Sequence, residues 1–236
     1  MHTQTTPTPT AAAPSLTAES RVADITAHQP GAVRVFQKHG IDFCCGGRQP
    51  LAAACAAAGV QPDVVLAEIA DLGGPLPEAR RWDLEPVAAL IDYIIETHHR
   101  PLDTEIARLR AMADRVLAVH RDKDPQRLDA LRRTFAEIEA EIWPHMQKEE
   151  LMLFPWLRSG EGRDVASPIR VMVHEHEVLG ALLHEMRRLT EDYTPPAVAC
   201  GTWRALYQGL AELEADLKLH IHLENNVLFP RALGTA

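Results

Sequence analysis

Apolar residues recur at helical spacing through four long segments of the chain, about 84–119, 125–158, 164–191 and 197–231. Short polar breaks separate them, reading RDKDP, SGEGRD and TPP. Long helices joined by short connections predict an up-down-up-down four-helix bundle. No alternating strand pattern competes with it. Ahead of the bundle the spacing shortens, and proline and glycine punctuate it. Ser15 or Thr17 can cap a helix to about Ala27. Pro30 opens a second helix ending at Gly40, Pro50 a third stopped by Gly59, and Pro62 a fourth stopped by Gly73 and Gly74. The predicted division is a disordered tail at 1–17, a small helical domain at 18–74, a linker at 75–83 and the bundle at 84–233. The fold class is all-α.

Composition narrows the function. A formal net charge of -9 argues against a nucleic-acid partner, which would need a basic face. No run of about 18 apolar residues is present to span a membrane, and the first residues lack the pattern of a secretory signal. Four cysteines, two of them adjacent, do not make a disulfide framework. The simplest reading is a cytoplasmic protein with reduced thiols. Twelve histidines, crowded into the second part of the chain, are the unusual feature.

Two of those histidines hold equivalent places in an internal repeat. HMQKEELMLFP, starting at His145, recurs as HIHLENNVLFP, starting at His220. Positions i and i+4 share a helix face, so His145 with Glu149, and His220 with Glu224, can each aim an imidazole and a carboxylate at one point. Burying such glutamates on an apolar face is costly unless a cation compensates. One further histidine from each of the other two helices would complete a set for two metal ions, with the carboxylates able to bridge. Mixed nitrogen and oxygen ligation with open positions suits iron or manganese better than closed structural zinc. On the third helix, His176 lies four after Met172 and three before Leu179, which favours it over His174. On the first, His98 follows Ile94 and His99 follows Ile95 by the same four residues, and the pattern does not choose. His120, His184 and His222 read as surface histidines. Glu141, one turn before His145, and Glu175, beside His176, are candidates to orient a ligand or relay protons.

With these motifs and the DFCCGG segment at 42–47, the chain resembles the iron–sulfur cluster repair di-iron proteins (the RIC family, YtfE/ScdA type). Their C-terminal domain is haemerythrin-like, and the ferritin-like alternative uses Glu-x-x-His rather than His-x-x-x-Glu. The resemblance implies ligands at His99, His145, Glu149, His176, His220 and Glu224, which decides for His99 over His98. It implies two non-haem Fe ions, oxo-bridged and carboxylate-bridged, in a cytoplasmic protein that restores iron–sulfur clusters after nitrosative or oxidative stress. Two activities fit: supply of iron to damaged iron–sulfur proteins or apo-cluster acceptors, or reduction of nitric oxide to nitrous oxide with an electron donor. NO and O2 are the expected small ligands. The Cys44–Cys45 pair is expected to act as a thiol or iron-transfer site, or to bridge protomers of a homodimer. Cys55 and Cys200 read as packing residues.

Overall fold

The computed structural model describes residues 16–72, 80–160 and 164–235. The expected tail lies outside these residues except for positions 16 and 17, and so does the linker up to position 79. Four short helices come first: α1 (Val22–His28), α2 (Ala32–Lys38), α3 (Leu51–Ala58) and α4 (Pro62–Asp71). Gly40 and Gly59 stop α2 and α3 in left-handed conformations, φ 65° and 70°. α1 starts later than its sequence suggests. Ser20 and Thr17 bond each other in a local turn, and Arg21 pairs with Pro50 in an isolated bridge, so helix begins only at Val22. Val22, Ile25, Phe36, Phe43, Leu51 and Ile69 make a separate core for this unit.

Four rods follow. The first is α5 (Val87–Ile94), a π-turn Ile95–His99, and α6 (Arg100–His120). The second is α7 (Pro125–Lys148), a π-turn Glu149–Leu153, and α8 (Phe154–Ser159). The third is α9 (Ala166–Leu189) alone. The fourth is α10 (Gly201–Leu223), a π-turn Glu224–Leu228, and α11 (Phe229–Ala232). Each rod packs on the rods before and after it, and the fourth closes the ring on the first. Among the described residues no single helix is long and apolar enough to cross a membrane.

The π-turns were not foreseen, and they explain the repeated Leu-Phe-Pro. Each is followed by a proline, at Pro101, Pro155 and Pro230. Proline lacks the N–H that would bond the carbonyl four residues back, and its ring crowds that carbonyl. The turn widens instead, and Arg100, Phe154 and Phe229 donate to the carbonyls of Ile95, Glu149 and Glu224, five residues back. Pro144 interrupts α7 without such widening. Pro168 falls in the first turn of α9, where no donor is needed.

The link between the third and fourth rods holds three consecutive left-handed residues, Glu191, Asp192 and Tyr193 (φ 49°, 58° and 57°). Each costs about 1–2 kcal/mol. A buried network offsets this. Glu214, 1% exposed, accepts from the Tyr193 hydroxyl, from Arg187 Nε at 3.0 and 3.1 Å, and from Lys218 at 2.5 Å, while Arg187 also pairs with Asp192.

Candidate metal centre

Two apolar clusters fill the bundle. One contains Leu90, Ile94, Met172, Leu228 and Phe229; the other runs from Leu102 and Met146 to Leu179, Trp203 and Ile221. His99, His145, Glu149, His176, His220 and Glu224 lie within a turn or so of the point where each rod passes from one cluster to the other, and all six are buried. Phe154 and Phe229, placed just past their π-turns, stack on His99 (centroids 5.8 Å) and His176 (6.1 Å). Burying such a ring contributes about 1.5–3 kcal/mol and keeps water from the imidazoles.

The six side chains form two clusters that share both glutamates: His99, Glu149, His220 and Glu224, and His145, Glu149, His176 and Glu224. Each carboxylate divides its oxygens between them. Glu149 Oε2 lies 3.6 Å from His99 Nε2, and its Oε1 lies 3.4 Å from His145 Nε2. Glu224 Oε1 lies 3.0 Å from His220 Nε2, and its Oε2 lies 3.1 Å from His176 Nε2. Within each cluster the two imidazoles face each other Nε2 to Nε2 at 3.0 Å.

The outer ring nitrogens show what the inner ones are for. Nδ1 of His99 donates to Glu150 Oε1, that of His145 to Glu175 Oε2 and that of His176 to Asn225 Oδ1, each at 2.9 Å. A neutral ring with its proton on Nδ1 turns the Nε2 lone pair inward. Lone pairs converge there with carboxylate oxygens, an arrangement that repels itself unless a cation sits among them. Both oxygens of Glu149 and Oε2 of Glu224 are buried without a hydrogen bond among the described residues. An ionised carboxylate left so is expensive. A pair of metal ions would satisfy every one of these atoms.

Titration tells the same story. Burial opposes a proton on His145, but the charge of Glu149, with Glu224 and Glu175, outweighs it and raises the group to about 9. His220 is raised in the same way against burial, by Glu224. Burial would raise Glu224, yet His220 and His176 hold it well below the usual carboxylate range. Burial, with His220 nearby, lowers His99. The centre demands positive charge.

Among the other residues singled out, Glu175 orients His145 rather than the adjacent His176, and it also accepts from Lys148. Glu141 is exposed and has no hydrogen bond to His145. It lies a hundred degrees round the helix from buried Ile142, on the rim of the inward face. His98 is buried as deeply as His99, but its Nδ1 bonds Asp216 Oδ1 at 2.7 Å and it belongs to neither cluster. His174 and His184 are exposed and His120 is half-buried. His222 is not on the surface: it is 4% exposed, with Nδ1 3.2 Å from the Phe43 carbonyl. Glu150 and Asn225 escaped sequence reading, although each directly follows a ligand candidate in the repeat.

Cys55 is packed, as expected, but Cys200 is exposed. It is the N-cap of α10, with His120 Nε2 3.2 Å from its Sγ. The Trp203 N–H, then His120, lowers its thiol to about 7. Alkylation by iodoacetamide should therefore mark Cys200 ahead of the other three thiols. Because the thiolate reacts, the rate should rise with pH through a midpoint of about 7, and His120→Ala should move that midpoint upward. Peptide mass spectrometry across a pH series reads both. Equal labelling of Cys55 and Cys200 would contradict the assignment.

Four rods closing on paired His/Glu clusters define a haemerythrin-type, cation-binding bundle. Residues 90–232 match the family described as Hemerythrin HHE cation binding domain, and residues 18–73 match a domain of unknown function, DUF542. The iron–sulfur cluster repair protein YtfE of Musicola paradisiaca is 40% identical over 217 residues, covering 91% of this chain and 96% of that protein. Those of Escherichia coli O1:K1 and Yersinia pseudotuberculosis are 42% and 41% identical, covering 87% and 86% of this chain and 92% of each relative. The chain belongs to the YtfE iron–sulfur cluster repair family.

Proposed function

We propose that the two clusters hold a carboxylate-bridged pair of iron ions, and that the protein supplies iron to damaged iron–sulfur proteins or apo-cluster acceptors in the cytoplasm. One observation carries the dinuclear reading: Glu149 and Glu224 each offer one oxygen to one cluster and the other oxygen to its neighbour. His99 and His220 would hold one ion, His145 and His176 the other. The donors are imidazole and carboxylate only, a set suited to iron that releases an ion more readily than a thiolate cage. Glu150, Glu175 and Asn225 keep three of the imidazoles turned inward. The relatives named above are iron–sulfur cluster repair proteins, which points to iron as cargo.

The test is anaerobic. Protein loaded with two iron equivalents, mixed with an apo-acceptor, a thiol reductant and sulfide, should lose iron while the acceptor's cluster absorption returns. Retained iron, with nitrous oxide accumulating over many turnovers when nitric oxide and an electron donor are supplied, would replace this reading with nitric oxide reduction.

A further inference from the structure

The DFCCGG turn is bolted to the bundle behind His176. Asn225 takes the His176 Nδ1 proton on its Oδ1, and its Nδ2 donates to the Cys44 carbonyl at 3.4 Å. Asn226 Nδ2 donates to the carbonyls of Phe43 and Cys44 at 3.1 and 3.0 Å. The Cys45 thiol lies 3.6 Å from the His176 carbonyl oxygen, and Cys44 joins the apolar cluster of the bundle rather than that of its own unit. Two glycines permit this. A Cβ on Gly46 would meet Gln49 at 2.5 Å and the Asp42 carbonyl at 2.9 Å; one on Gly47 would meet Asn226 at 2.4 Å.

Within the turn, Asp42 Oδ1 accepts the main-chain N–H of Cys44 at 3.1 Å, that of Cys45 at 3.0 Å, and the Cys44 thiol at 3.2 Å. The two sulfurs lie 3.8 Å apart. Sγ of Cys44, Sγ of Cys45 and a carboxylate oxygen of Asp42 all fall within 4.8 Å of one another, the spacing of a set that can share one ion. We infer that Asp42, Cys44 and Cys45 form a further cation site, with two sulfur ligands and one oxygen, for a single divalent ion of borderline softness such as ferrous iron. Its value as a way-station rests on the iron reading of the neighbouring centre; the site itself does not.

Binding exchanges two S–H bonds for two metal–sulfur bonds and releases two protons, with no change of oxidation state. The Cys44 thiol is within hydrogen-bond reach of Asp42 Oδ1, a carboxylate that can pass the departing proton on to solvent before it ligates the ion. Because the thiols must lose their protons to bind, uptake should weaken as pH falls. Asn225 then touches both sites, one through each end of its amide.

The experiment is an anaerobic cobalt(II) titration of the full, metal-free chain. Cys200→Ser is the background, because Cys200 with His120 is a second accessible thiol. Three equivalents should bind, one of them with a sulfur-to-cobalt charge-transfer band. Cys44→Ser/Cys45→Ser should lose that band and that equivalent only. Asp42→Asn, which keeps an oxygen for the two main-chain donors, should weaken the sulfur-marked equivalent about tenfold or more, and covers the case in which the double variant fails to fold. Two equivalents without a sulfur band, or a band that survives the double substitution, would overturn the inference. Fewer than two equivalents free of the band, with the band intact, would instead overturn the dinuclear reading and leave this one standing.

Discussion

Glu149→Gln is expected to lose both metal ions together, not one. Its two oxygens serve different clusters, so a single amide removes charge from each. The loss should not come from unfolding. Glu149 makes no hydrogen bond that its replacement would break, and in the metal-free chain the cost of burying its charge is set against its ion pair with His145. The measurement is metal content with thermal unfolding, with and without added metal. At a metal concentration a hundred times Kd, the wild type should gain about 2.7 kcal/mol for each ion it holds, each gain worth about 5–11 °C in a chain of this size. The variant should gain almost none and should unfold close to where the wild type does without metal. Glu141→Gln, exposed two turns earlier, should behave as the wild type. A Glu149→Gln protein that still holds one ion tightly would show that the carboxylate does not bridge.

The opposite result is expected for the third fully buried glutamate. Glu214 is 1% exposed, but its oxygens accept from Tyr193, Arg187 and Lys218. Glu214→Ala should lower unfolding stability by about 2–3 kcal/mol, the low end for breaking a buried ion pair because Arg187 is one-third exposed. Metal content should not change. Burial would raise the Glu214 carboxyl, yet Lys218, Tyr193 and Arg187 outweigh it and hold the group below its ordinary value. A lowered folded value means that the contribution is present above the unfolded value of about 4.3 and fades as pH falls below it. The gap between wild type and variant in denaturant melts should therefore narrow at acid pH. A gap that widened there would assign the stabilisation to another group.

These two glutamates also mark what could be read from the chain before folding. His145 with Glu149 and His220 with Glu224 were legible because helix periodicity makes i and i+4 neighbours, and because the pair is repeated. The rods were legible for the same reason. What periodicity cannot resolve is rotation by one residue: His98 and His99 both turn inward, and only the tertiary partner, Asp216 or Glu150, separates them. Glu214 has the same sequence character as an exposed helix glutamate; Lys218 is its neighbour one turn on, but Arg187 and Tyr193 reach it only when the left-handed link at 191–193 folds back. Asn225 and His222 lie beyond prediction for a further reason. Their roles depend on where the small unit docks, and no local pattern encodes a contact between residues 43–44 and 222–226.

A helix carrying one surplus residue behaves as two rulers joined end to end. The apolar stripe through Leu210, Leu213, Leu217 and Ile221 does not run on in phase past Leu228; a new count begins at Phe229, whose ring lies over His176. The second rod restarts in the same way at Phe154, over His99. Positions along these rods are thus indexed outward from the centre in both directions. Ligand register is set by the few residues around each proline and owes nothing to where the helices begin or end.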